Sequence, residues 1–462
     1  MRGTSARRAL GERLDNLHRS CMMSPMFACT LFFGCRPPCK GVYTHEPDKA
    51  RSCTLKALVY RRSVPLYLAG SLASRLFPRR FFSRLTPLDL REIPAPAAPE
   101  GWVTLRNRLC GICGSDLHLL QGSESYLLEP YGSFPAVLGH ETVSEIVSAA
   151  PGEDWNPGDR VVVEPILPCF IRGLPPCKFC SEGEYHLCEN FTMGKVAPGP
   201  VQGYNRSVGG GMADYSIAHP SRLIRVPLNL PDEAAVLTDS LASALHPVLR
   251  HFPGNDQCVL IFGAGILGQQ VLRSLRALGS SARTIVVARH SFQRDLAYTG
   301  GADEVLMSPS RIEIGRAVKA RFLPTTLGGG NLEGGADLLF DCVGTRHSLQ
   351  EGLLALRARG KLVMVATIGS VGPVDFSSLW FRELHVTGSA SYSESDFRGR
   401  RMRTYQRAID LLASEKTLFS NLVSHIFPLA SYQDAFRTAI DKRTWKSMKV
   451  AFSLRADSGL RS

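Results

Sequence analysis

The sequence predicts an α/β protein with two kinds of sheet: a barrel-like antiparallel β part and a doubly wound parallel sheet. Three observations carry this. Short apolar stretches separated by turn residues recur through the first half, at 101–105, 143–147 and 159–164. From about Pro231 strand-like and helix-like stretches alternate: 257–262, 284–288, 304–306, 336–342 and 361–366 read as strands with helices between them. Finally, the apolar run 257–262 leads directly into Gly263-x-Gly265-x-x-Gly268 and a helix reaching Leu278. That is the order a Rossmann dinucleotide fold requires.

A chain of 462 residues is long enough for two substantial cores. The net charge of +13 raises the possibility of nucleic acid, but residues 1–100 hold seventeen Lys/Arg against seven Asp/Glu, and the rest is nearly neutral. No nucleic-acid partner is therefore expected. Thirteen cysteines in a chain this long do not suit a disulfide framework, and they are read as reduced. No apolar run approaches the ~18 residues of a membrane span, so no membrane partner is expected.

Taken in order, residues 1–52 are rich in Arg and Cys and show no hydrophobic period. Arg2, Arg7, Arg8, Arg13 and Arg19 suit a transit peptide, whereas Glu12 and Asp15 oppose it. A disordered extension or an upstream misread start is expected, with a cytoplasmic location; organellar targeting by the extension stays open. A first strand is expected at 53–60. Residues 61–99 form a basic, proline-punctuated insertion containing Arg79-Arg80-Phe81-Phe82, expected to be a solvated face. The expected division is a first domain over 53–240, completed by 391–455, a nucleotide domain over 241–390, and a tail at 456–462. A helix at 405–414 and a last strand at 449–453 close the first domain.

Chemistry concentrates in Leu109-Cys110-Gly111-Ile112-Cys113-Gly114-Ser115-Asp116-Leu117-His118, followed by Gly139-His140-Glu141. A thiolate and a neutral imidazole are preferred zinc ligands, and a catalytic zinc takes three protein ligands plus an open position. Together these motifs resemble the zinc-containing medium-chain alcohol and polyol dehydrogenases, over roughly residues 53–455. The resemblance implies a GroES-like fold for the antiparallel domain and a catalytic zinc held by Cys113 and His140. For the third ligand it points to Asp239, in Leu237-Thr238-Asp239-Ser240-Leu241, although an aspartate there also suits a helix cap. Glu141 would stand beside the metal as a tuning or exchanging ligand. Ser115 is implied as the first member of a proton relay and His118 as the outer one. Asp116 would hold the loop or orient His140.

Cys177-x₂-Cys180 has ligand spacing, and with Cys169 and Cys188 it resembles the family's structural-zinc lobe. Seven residues separate Cys169 from Cys177 where relatives usually have two, so Cys169 must reach the metal across a bulge. Cys35-x₃-Cys39 has no second pair. In the fingerprint, Gly263 allows the tight turn, Gly265 the approach of a pyrophosphate, and Gly268 close helix packing. Ile266 and Leu267 open the helix whose N-terminus would face the phosphates. An acid at the end of the next strand would indicate NAD. Ala288 stands there instead, followed by Arg289, with His290 and Arg294 close by. NADP is therefore expected over NAD, because a guanidinium pairs well with a 2′-phosphate.

The expected function is zinc-dependent hydride transfer between an alcohol or polyol and NADP, giving an aldehyde or ketone, in a homo-oligomer (dimer or tetramer). The segment 121–134, with Tyr126, Leu127, Leu128 and Tyr131, is expected to border the substrate pocket. The rival enzyme is a sugar or amino-alcohol dehydrogenase using NAD. The rival binder is a basic zinc protein for nucleic acid, which the localised charge and the relay pair both oppose.

Overall fold

Val103–Gly111 is the strand on which the first half is built. Val103, Leu105, Asn107 and Leu109 are buried while Thr104, Arg106 and Arg108 are more exposed, the period of a strand with one core face. It runs antiparallel to Glu141–Ser148, Tyr215–Ala218 and Lys449–Ser453. Asn107 ties these strands across the core: its Oδ1 accepts from the hydroxyls of Ser144 and Ser216, each at 2.8 Å. The register matters for chemistry, because Gly111 lies opposite both Glu141 and Ala451. Cys113, Glu141 and Lys449 thereby leave one end of one sheet.

In this computed structural model the described residues are 54–149 and 154–454. The extension assigned to 1–52, the Cys35 and Cys39 pair and the tail from 456 lie outside them. Among the described residues this sheet has seven strands, antiparallel except for the parallel pair Val423–Pro428 and Lys449–Ser453, and a smaller three-stranded sheet joins Thr54–Tyr60 to Leu88–Pro94 and Ala136–Val137.

The insertion 61–99 is more structured than a solvated charge run. It forms a helix, Val64–Leu76, and the strand Leu88–Pro94 pairs with Thr54–Tyr60 along its whole length. Pro65 in the first helical turn presets φ there. Leu88 is buried, and Phe81 packs on Phe436 at 5.5 Å between ring centroids, so apolar contacts pin the middle of the segment. Arg79 and Arg80 do remain exposed, as expected.

The parallel sheet has six strands in the spatial order Glu304–Met307, Arg283–Ala288, Cys258–Phe262, Ala336–Asp341, Leu356–Met364, His385–Gly388. All neighbouring pairs are parallel. The strand order reverses between Cys258–Phe262 and Ala336–Asp341, which opens a crevice at their carboxyl ends. Two hairpins, Arg321–Pro324 with Gly330–Glu333 and Glu394–Phe397 with Arg400–Arg403, were not expected.

The almost wholly buried helix Thr238–Arg250 links the two sheet systems. Leu241 and Leu245 share a core cluster with Tyr405, Ala408 and Leu412, while Ala244 and Val248 join the cluster under the parallel sheet. Its first turn, carrying Asp239 and Ser240, opens onto a cavity of about 580 Å³.

Candidate active site

Cys113 precedes the helix Gly114–Leu120, and its backbone N–H donates to Asp116 Oδ2 at 2.9 Å. This turn fixes the thiol opposite His140 and Glu141. The donor atoms of Cys113, His140 and Glu141 all lie within 4.8 Å of one another. Gly111 is required for that approach, since a Cβ there would come within 2.1 Å of Glu141 Oε2. Sulfur, nitrogen and oxygen converging at this range form a donor set that suits zinc.

The surrounding charge fits a cation as well. Burial lowers the His140 pKa, but the Cys113 thiolate, Asp116 and Asp239 outweigh it, and the net shift is well upward. Its Nδ1 is buried without a hydrogen bond, 3.9 Å from Asp116 Oδ1. Asp116 is fully buried, and burial raises its pKa against the pull of His140, the Cys113 amide and Tyr204. These contacts place Asp116 to hold the loop and to face His140 at once.

Glu141 has an unforeseen partner. Lys449 Nζ lies 2.6 Å from Oε1 and 2.5 Å from Oε2, and also donates to Ile112 O at 3.3 Å. Asp239, read from sequence as the third metal ligand, is outside the group of three and flanks it instead. Its Oδ1 accepts from the Tyr392 hydroxyl, and its pKa is pushed up to about 6, by burial first and then by Glu141, against the pull of His140. The donor atoms that lie within 4.8 Å of one another thus include Glu141 and not Asp239. Neither Lys449 nor Tyr392 carries a local sequence signal.

Ser115 and His118 both line a cavity of about 580 Å³. No hydrogen bond joins them among the described residues. Tyr204 instead lies between Ser115 and Asp116, its hydroxyl 3.1 Å from Ser115 Oγ and 2.8 Å from Asp116 Oδ1. Burial and the neighbouring Lys442 lower the His118 pKa, which favours a neutral ring able to accept a proton. Leu128 and Tyr131 line the cavity, whereas Tyr126 and Leu127 lie on the outside.

Across the cavity stands the glycine turn. Gly263 has φ of 92°, and a Cβ there would meet Val343 Cγ2 at 2.6 Å. At Gly268 a Cβ would lie 1.8 Å from Gly263 O, so only glycine permits this packing. A Cβ on Gly265 would meet nothing within 4 Å, because that position faces open space. The helix Ile266–Ala277 begins there with no side-chain cap, and Gly265, Ile266 and Leu267 line the cavity. Free N–H groups at a helix N-terminus facing a cavity suit a pyrophosphate. Ala288 ends its strand buried, and the exposed Arg289 has no ion pair among the described residues. His290 caps the next helix with Gln293 and stacks on Phe292 at 5.7 Å, while Arg294 pairs with Asp295 at 3.0 Å.

The four cysteines of the lobe converge. The sulfurs of Cys169, Cys177, Cys180 and Cys188 lie within 4.8 Å of one another, with Cys169 and Cys188 at 3.5 Å. All four are free thiols, and four sulfurs around zinc at 2.3 Å would be about 3.8 Å apart. The cluster therefore fits a closed thiolate site. The long spacer folds into a turn held by Arg172, which is fully buried and donates to the carbonyls of Leu167, Met193 and Val196 at 2.9–3.0 Å. Burial raises the Cys177 pKa, but amide hydrogen bonds win and bring it down to about 7.

Residues 99–228 match the alcohol dehydrogenase GroES-like domain family, and residues 267–414 match the zinc-binding dehydrogenase family. The chain belongs to the zinc-containing medium-chain alcohol and polyol dehydrogenases. It is an NAD(P)-dependent zinc dehydrogenase acting on CH–OH groups, with a GroES-like part and a Rossmann-like sheet. The dehydrogenase is 29% identical to L-threonine 3-dehydrogenase of Pyrococcus furiosus over 374 residues, covering 79% of this chain and 95% of the relative. It is 28% identical to human sorbitol dehydrogenase over 360 residues, covering 76% and 89%. Among solved structures, L-idonate 5-dehydrogenase from Escherichia coli superposes with a TM-score of 0.64 at 20% identity, covering 87% of this chain and 98% of the other, a likeness of fold.

Proposed function

We propose that this dehydrogenase oxidises an alcohol or polyol with NADP in preference to NAD. The observation that carries the cofactor choice is Ala288 at the end of its strand with the exposed Arg289 beside it. An alanine neither accepts from a ribose 2′-hydroxyl nor repels a 2′-phosphate, and the guanidinium attracts the phosphate. Arg294 is exposed nearby, and His290 adds a ring at the same turn. The metal donor set and the glycine turn face one cavity, which supports hydride transfer between their two ligands.

Cys113, His140 and either Glu141 or Asp239 would hold the catalytic zinc, and Cys169, Cys177, Cys180 and Cys188 the structural one. Bound zinc supplies a Lewis acid for the alcohol oxygen and bound nicotinamide a hydride acceptor. Ser115, aligned by Tyr204, which is itself held by Asp116, would accept the hydroxyl proton as it gives up its own. His118 lines the same cavity and would serve as the outer base of the relay. Lys449 pairs with both oxygens of Glu141 and offsets its charge beside Cys113. The backbone N–H groups from Gly265 onward hold the pyrophosphate.

We read residues 53–240 and 391–455 as one domain around the nucleotide domain at 241–390. A dimer is supported by the edge strand His385–Gly388, next to which Trp380 and Phe381 are exposed. A panel of alcohols and polyols assayed with both cofactors tests the reading. A higher kcat/KM for NADP is expected, and a higher value for NAD on the same alcohol would overturn the cofactor assignment.

A further inference from the structure

The insertion helix Val64–Leu76 places leucines where a surface helix normally places charge. Val64, Leu68, Leu72 and Leu76 recur every four residues and are 52, 62, 61 and 65% exposed. Phe77 continues the stripe. The other side of the helix is the one that packs. Gly70 is buried, with the carbonyls of Leu85 and Leu120 at 3.6 and 3.9 Å from where its Cβ would be, and the Tyr67 hydroxyl donates to Glu124 O at 2.7 Å. The protein's own contacts therefore turn the apolar face outward.

The neighbouring turn Tyr126–Tyr131 enlarges that face. Tyr67 and Tyr126 stand 6.4 Å apart, and Tyr126 and Leu127 are 66 and 86% exposed. Exposed apolar side chains gathered on one helix and the turn beside it mark an interaction site. Its charge says what kind. Arg61 and Arg62 pair with Asp89 and Glu129, whereas Arg75, Arg79, Arg80 and Arg84 have no ion pair among the described residues. Arg75, Arg79 and Arg80 are exposed, and the Arg80 guanidinium lies 5.4 Å from the Phe77 ring.

We propose that this face docks the dehydrogenase on the surface of an anionic lipid bilayer. The leucines and Phe77 enter the boundary of the acyl chains, and the arginines meet the anionic headgroups, as in interfacial amphipathic helices. A second copy of the chain is the poorer occupant, because two-fold pairing would set this cationic segment against itself. No described helix is long and apolar enough to cross a membrane, and an interfacial helix has no need to be. This revises the expectation of no membrane partner, which rested on the lack of a span. Arg62, Glu124, Leu128 and Tyr131 also line the cavity of about 580 Å³, so docking brings its mouth to the bilayer and favours alcohols that partition into lipid.

Flotation of the full-length protein with vesicles of phosphatidylcholine, with and without phosphatidylserine, tests this. Binding is expected only with phosphatidylserine, falling about tenfold or more in high salt. Leu68→Ser/Leu72→Ser/Leu76→Ser should abolish it while turnover of a water-soluble alcohol stays unchanged. Arg75→Glu/Arg80→Glu, which leaves the leucines in place, should weaken it by about tenfold or more. The proposal is overturned if the wild type does not float, if it floats equally well in both variants, or if the leucine variant dissociates a dimer that never bound vesicles.

Discussion

The ammonium of Lys449 bridges both carboxylate oxygens of Glu141 at 2.5 and 2.6 Å, across 308 residues of chain, with both side chains sealed from solvent. Burial alone would lower the Lys449 pKa, but Glu141, Cys113 and Asp239 raise it above its ordinary value. The lysine is thus the fixed positive charge of a site rich in anions.

Removing one member of a buried pair strands the other. Lys449→Met should therefore destabilise the protein by about 3–5 kcal/mol in chemical denaturation. A loss below about 1 kcal/mol, the range of an exposed pair, would show that the pair is solvated.

The cysteine lobe acts through folding. Cys177→Ser should remove one zinc per chain and lower Tm while leaving Cys113, His140 and Glu141 intact. Active, stable wild-type protein with a single zinc would contradict a metal in the lobe.

His246 supplies a pH dependence remote from the catalytic metal. Burial first, then His186, Arg250 and His251, lower its pKa from 6.5 to about 3. Its ring packs 4.9 Å from His186 and hydrogen-bonds Ser395 at 3.2 Å. The folded-state pKa lies below the unfolded one, so between the two values the unfolded chain binds a proton that the folded chain refuses. The stability is complete above pH 6.5 and falls as the pH drops, by roughly 1.4 kcal/mol per pH unit. Between pH 6.5 and 5 the wild type should lose about 2 kcal/mol more than His246→Gln. Parallel stability curves would refute this.

Much of the fold was legible because its signals are local. Cys113, Ser115, Asp116 and His118 share one turn, and Gly263 to Gly268 follow a strand of plain apolar character. The glycines behave as steric reasoning requires, with Gly268 excluded from bearing a side chain and Gly265 facing open space. What escaped is what long-range folding assembles. Lys449 reaches Glu141 only because the last strand pairs with Val103–Gly111. Tyr204 and Tyr392 reach Asp116 and Asp239 from loops without a motif. Asp239 stands outside the group formed by Cys113, His140 and Glu141, and its partner Tyr392 comes from a distant loop. In the insertion, arginines and prolines masked a leucine every fourth residue, a helical period read there as a charge run.

Cofactor choice separates into two residues. Ala288→Asp combined with Arg289→Ala should weaken NADP and improve NAD, moving the ratio of kcat/KM toward NAD by about tenfold or more. An unchanged ratio would mean that the 2′-phosphate is held elsewhere.

We propose that Cys113 and His140 hold a zinc on which turnover depends, and elemental analysis paired with alcohol-dependent reduction of NADP tests this. Wild-type protein should carry two zinc ions per chain, and Cys113→Ser or His140→Ala should each carry one and show no turnover. Full activity in a metal-free preparation, or in either variant, would contradict the claim.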